Sequence, residues 1–166
     1  MEVFDFLARY WPQFLLGAWV TIQLAFCIIL TGIAAGLLGF VLVAVLGTAL
    51  AVLFSAANVF FRDAENFVDL IVMVSTWSAP VLYSWTMVRD VLGPVWFAGF
   101  MLNPLTVAVE LSHAAFWLPT TTPGAHEVPP HLFSLWTPVA LMVVTVVMVL
   151  GDLMFRRLEG RFAQEL

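Results

Sequence analysis

An all-α polytopic membrane protein is the fold class this sequence predicts, and three observations carry that reading. Of its 166 residues 63% are hydrophobic and only 10% charged, with a mean hydropathy of +1.03. A soluble domain draws roughly a quarter of its residues from Asp, Glu, Lys and Arg to face water, so lipid must be the solvent for much of this chain. No such residue stands between Arg9 and Arg62, a stretch far longer than the roughly 20 residues that carry a helix across a core of about 30 Å. The polar alternation and regular turn signals of a lumen-lined barrel are missing. The expected architecture is about four transmembrane helices plus one re-entrant helical hairpin, with both termini in the cytoplasm.

Residues 1–12 place Phe4, Leu7, Ala8 and Trp11 on one helical stripe, with Asp5 and Arg9 four apart on another. That pattern predicts a short amphipathic helix lying at the interface. Glu2 and Asp5 stand where a signal peptide would carry positive charge, and the apolar run that follows is too long for an h-region, so the first helix is expected in the mature chain. The transmembrane domain is expected over 13–155, followed by a cytoplasmic tail over 156–166.

A first span is predicted from Gln13 to about Ile33, broken near Thr31 and Gly32, and a second from about Gly36 to Val59. The joining sequence GIAAG spaces Gly32 and Gly36 four apart, with Gly39 and Gly47 beyond. It reads as a tight turn between two spans, or as a packing face where small residues let helix backbones approach closely. Neither GxGxxG nor GxxxxGK[ST] occurs, so the glycines imply no nucleotide site.

A third span is predicted over about Phe67 to Trp85, opened by Glu65 and Asp69. Pro80 near its far end should kink or end it, and Arg89 and Asp90 beyond cannot lie cheaply in hydrocarbon. Residues 93–119 are apolar but split by Asn103 and Pro104 into pieces too short to span alone, which predicts a re-entrant hairpin of two half-helices. The competing reading is one kinked full span. A loop, PTTTPGAHEVPPH, leads to a final span over about Leu132 to Leu150 and a charged end from Gly151.

Charge placement favours the hairpin. With the hairpin returning to its own side, Arg9, Arg62, Arg156, Arg157 and Arg161 all fall inside and Arg89 alone outside, as the excess of cytoplasmic Arg and Lys requires. A true crossing at 93–119 would put Arg62 and the C-terminal cluster on opposite faces.

Few residues carry chemistry. His113 follows Glu110 by three on one helical face; the pair could share a proton or bind an ion, and a structural salt link is the simpler reading. His126 and His131 flank Glu127 among prolines without a metal-binding geometry. Cys27, the only cysteine, reads as a small hydrophobe. There is no basic patch for nucleic acid, and no cofactor or metal is expected. Trp11, Trp77, Trp85, Trp96, Trp117, Trp136, Tyr10 and Tyr83 read mostly as an aromatic belt, with the alternative that the outer ones line a path for a sugar-bearing lipid. The elbow carrying Asn58, Phe60, Phe61, Arg62, Asp63 and Glu65 reads either as an ordinary interfacial loop or as a surface that a soluble partner grips through the phenylalanines and the Arg-Asp pair.

Four segments in order, GTALAVLFSAANVFFRDAENFVDL, TWSAPVLYS, LNPLTVAVELSHAAF and FRRLEGRFAQEL, resemble the membrane subunit of ABC-2 type exporters. The branch they resemble moves polysaccharide, O-antigen and teichoic acid linked to lipid. The resemblance covers about Gly47 to Leu166, and Tyr10 to Phe26 also resembles weakly the opening helix of amino-acid importer permeases. It implies that Asn58 to Asp63 form the elbow facing an ATP-binding subunit. Ala79, Pro80, Val81 and Tyr83 would form the outer end of the next helix, with Asn103, Pro104 and Leu105 at the turn of a periplasmic hairpin. Arg156, Arg157, Leu158, Glu159, Arg161 and Phe162 would belong to the cytoplasmic tail. Near Glu110 the family usually carries an arginine, where this chain offers Ser112 and His113. Family members are also longer, with more spans in their N-terminal half.

The function implied is that of a multi-pass inner (plasma) membrane permease exporting lipid-linked glycan, expected as a homodimer of the permease with a dimeric ATP-binding subunit. The chain is not expected to be an enzyme, because ATP hydrolysis would fall to that partner in the absence of a Walker motif. The alternatives are an ABC-2 exporter of another small amphiphile and a non-transporting remnant or scaffold.

Overall fold

The computed structural model describes residues 2–60, 64–117 and 127–165, all of them helix or connection. Helix α1 spans Glu2–Phe60, α2 Ala64–Ser78, α3 Trp85–Met101 and α4 Pro104–Ser112. A π-helical turn, His113–Trp117, prolongs α4, and another, Leu132–Trp136, leads into α5, Thr137–Glu165. Two helices are long and apolar enough to cross a membrane, within Leu15–Ser55 and Leu132–Arg157, or up to three crossings if the bent pair Trp85–Met101 and Pro104–Trp117 forms one.

The predicted break near Thr31 and Gly32 is absent, because α1 runs through GIAAG as one helix. No proline stands between Pro12 and Pro80, and an isolated glycine costs a helix only about 1 kcal/mol. The threonines stay within the helix by donating to carbonyls one turn back: Thr21 to Gly17, Thr31 to Cys27 and Thr48 to Ala44, each at 2.8 Å. The 41 residues of Leu15–Ser55 make about 61 Å of helix, twice a hydrocarbon core. The interfacial helix expected over 1–12 is continuous with α1 in its backbone.

The glycines are a packing face. A Cβ on Gly39 would stand 2.9 Å from the carbonyl oxygen of Ala108, one on Gly32 3.1 Å from that of Ala115, and one on Gly151 3.2 Å from that of Ala49. The pairs Gly39 with Ala108 and Gly32 with Ala115 run α4 and its π turn antiparallel to α1. Around this seam lie Ala35, Leu42, Val107, Leu111, Leu132, Ala140 and Val144, all buried. From Leu15 to Leu30 every described side chain of α1 is exposed.

The third span is also revised. Helix α2 ends at Ser78, short of Pro80, and its 15 residues reach about 22 Å, less than a hydrocarbon core. The hairpin has its break where expected, at 102–103, but its first arm begins at Trp85 and not near Gly93. Gly93 sits inside that arm with φ 74°, a left-handed conformation that kinks α3 immediately before Pro94. The charged end after Gly151 continues α5 as helix.

Replacing Gly39 by alanine should lower the melting temperature of the detergent-solubilised protein, at a cost of about 1–3 kcal/mol, because two backbones must separate. Gly47 has open space around its Cα, so Gly47→Ala should leave stability unchanged or raise it by up to about 1 kcal/mol. Equal effects at the two positions would contradict the close approach.

Candidate functional site

The expected site residues fall into three places. Asn58 is exposed near the end of α1, and Phe60 and Glu65 lie on helical backbone. Phe61, Arg62 and Asp63 lie outside the described residues, as do His126 and the side chains of Phe60, Glu65 and Arg161. At the far end of α5, Arg156 pairs with Asp152 at 2.8 Å and Arg157 is exposed.

The second place is the break between α3 and α4. Asn103 caps α4, its Oδ1 accepting from the backbone N–H of Leu105 at 3.0 Å, and Pro104 takes the first helical position, where a missing N–H is harmless. The Asn103 amide donates from Nδ2 to the Ser78 hydroxyl at 3.2 Å, tying the end of α2 to the start of α4. Pro80 is fully buried beside this tie in sequence. The helices on either side of the break are bent by 99°.

The third place is a cavity of about 420 Å3, within the size range of small-ligand sites. Tyr83, Trp85, Glu110, His113, Trp117 and Glu127 are among its walls. Trp85 opens α3 and Trp117 closes the π turn after α4, so both arms of the bent pair end at one cavity. Glu110 is 3% exposed. Its Oε1 has no hydrogen-bond partner within the protein, and Nδ1 of His113 is 3.7 Å away, at ion-pair distance but beyond hydrogen-bonding distance. The His113 ring meets Trp117 edge-on at 5.2 Å.

The cavity is held by aromatic and backbone contacts. The Trp85 indole donates to the Glu127 carbonyl at 2.8 Å and packs on Phe97 at 5.9 Å. Arg89 lies over the Trp85 ring at 5.0 Å and pairs with Asp90 at 3.0 Å. Tyr83 donates to the Trp77 carbonyl at 3.0 Å, and burial pushes its phenol above the usual value of 10.0.

Tyr83, Glu110 and His113 therefore meet, while Asn103 and Pro104 belong to the break. Trp85, Trp117 and Glu127 were legible only as belt or loop residues. The available signal was local: Glu110, His113, Ala114 and Trp117 follow an i, i+3, i+4, i+7 pattern on one face. Among the described residues no group of three or more His, Cys, Asp and Glu could hold a metal ion. Comparison with protein-family models, curated proteins and solved structures gives no match.

Asn103→Ala should destabilise the protein by about 1–2 kcal/mol through the lost cap. A double-mutant cycle with Ser78→Ala should find a coupling of about 0.5–1.5 kcal/mol, measured by thermal unfolding. Strict additivity would mean that the α2 to α4 tie contributes nothing.

Proposed function

We propose that the chain is the membrane-spanning permease subunit of an ABC-2 type exporter, moving lipid-linked polysaccharide across the inner membrane. The observation that carries this reading is the bent pair of apolar half-helices, broken at Asn103 and Pro104, whose two outer ends meet at one cavity. Such a pair can enter and leave a bilayer on one side, with its irregular backbone shielded by protein. That is the hairpin implied by the resemblance of LNPLTVAVELSHAAF to the exporters.

In this reading two copies of the chain line the conduit, and a dimeric ATP-binding subunit docks at the elbow of Asn58, Phe60, Phe61, Arg62, Asp63 and Glu65. Nucleotide-driven closure pushes on the elbow and moves α1 against α2, while the hairpin shapes the outer exit. Arg156, Arg157 and Arg161 hold the end of α5 in the cytoplasm. A second reading, a non-transporting membrane scaffold, is favoured by the uninterrupted course of α1 where a permease of this class has separate spans.

Charge reversal tests the first reading. With an ATP-binding partner co-expressed, Arg62→Glu or Asp63→Lys should cut export by roughly 5- to 150-fold, the range of a typical coupling energy. The far-ultraviolet helical signal should be unchanged. Unaltered export and ATPase coupling in both variants, or failure of the wild-type chain to retain any such ATPase, would overturn it.

A further inference from the structure

We propose that the cavity between the start of α3 and the π turn after α4 binds an organic ammonium cation, with the Glu110 carboxylate as counter-ion and Trp117, Trp85 and Tyr83 as its aromatic walls. The inference goes beyond export and stands independently of it.

Glu110 is the most buried of the cavity's lining residues. Its Oε1 has no hydrogen-bond partner within the protein, and a carboxylate held away from water calls for a counter-cation. The His113 Nδ1 stands 3.7 Å off, at ion-pair and not hydrogen-bond distance, and balances the carboxylate only when the imidazole is protonated. Arg89 lies outside the lining and is already paired with Asp90.

The electrostatic balance of the walls selects the sign of the ligand. Glu110 and Glu127 line the cavity, and no Lys or Arg does among the described residues. A metal ion is disfavoured because one buried carboxylate and one imidazole make too small a donor set. A neutral hydroxyl compound could donate to Oε1 but would leave the negative charge without a counter-charge. An alkylammonium group supplies the charge and also gains from the electron-rich ring faces. The size of the cavity, about 420 Å3, admits such a headgroup.

The same chemistry occurs in free amines and in lipid headgroups, so the test has two arms. The full chain is reconstituted in nanodiscs of phosphatidylglycerol, and binding of radiolabelled choline is measured. In the second arm phosphatidylcholine replaces part of the lipid and competes with the label. Saturable choline binding is expected, and competition in the second arm assigns a headgroup while its absence assigns a free cation. Glu110→Gln should weaken binding by roughly ten-fold or more. Trp117→Ala, a change at a half-exposed residue that spares the core, should weaken it by about 2- to 5-fold. Equal binding of choline's neutral carbon isostere, unchanged affinity in both variants, or no saturable binding in either arm would overturn the proposal.

Discussion

Close approach of α1 to α4 and α5 is the constraint on which the rest of the structure depends. Lipid removes the hydrophobic drive between helices, so association rests on van der Waals contact and on backbones that can come near one another. Gly32, Gly39 and Gly151 supply that proximity at three levels of the bundle. Helix α4 has only nine residues, too short to be stable by itself. Its position follows from Ala108 and Ala115 seated against the α1 glycines, and a side chain at Gly39 would lift it away.

Polar groups are settled locally almost everywhere. Serine and threonine hydroxyls return to carbonyls one turn back, as Ser112 does to Ala108 at 2.9 Å and Thr145 to Leu141 at 2.7 Å. The two indoles bordering the described connection at 127–131 reach backbone oxygens, Trp85 to Glu127 and Trp136 to Pro130. Thr137 closes the second π turn by donating to Leu132 at 2.8 Å. Against this background two buried oxygens among the described residues lack hydrogen-bond partners, those of Thr106 and Glu110. A hydroxyl left alone costs little beside a carboxylate, and only Glu110 also lines the large cavity.

The helical class, the break at Asn103 and Pro104 and the end of α2 before Pro80 were legible because each rests on local chemistry. An asparagine cap followed by proline at the first helical position is a sequence signal in its own right. The fate of GIAAG was not legible, since the same spacing serves a turn or a seam. What decided it was the backbone of the π turn after α4, where Ala115 meets Gly32 from a distant part of the chain. The cavity was half legible: Glu110, His113 and Trp117 share a helical face, but the approach of Trp85 to Glu127 is a tertiary contact that no local pattern encodes.

The seam also explains why Glu110 points where it does. Successive residues of an α-helix turn by about 100°, so with Ala108 and Leu111 set against α1, Glu110 cannot share their direction. Its own face continues through Ala114 to Trp117, which line the cavity with it. The π turn at His113–Trp117 adds a residue to the helical circuit there, widening the helix where the imidazole and the indole meet. Thus the glycines that fix α4 at its back also fix the direction of the buried Glu110 carboxylate at its front, and the packing face and the cavity are two consequences of a single helix placement.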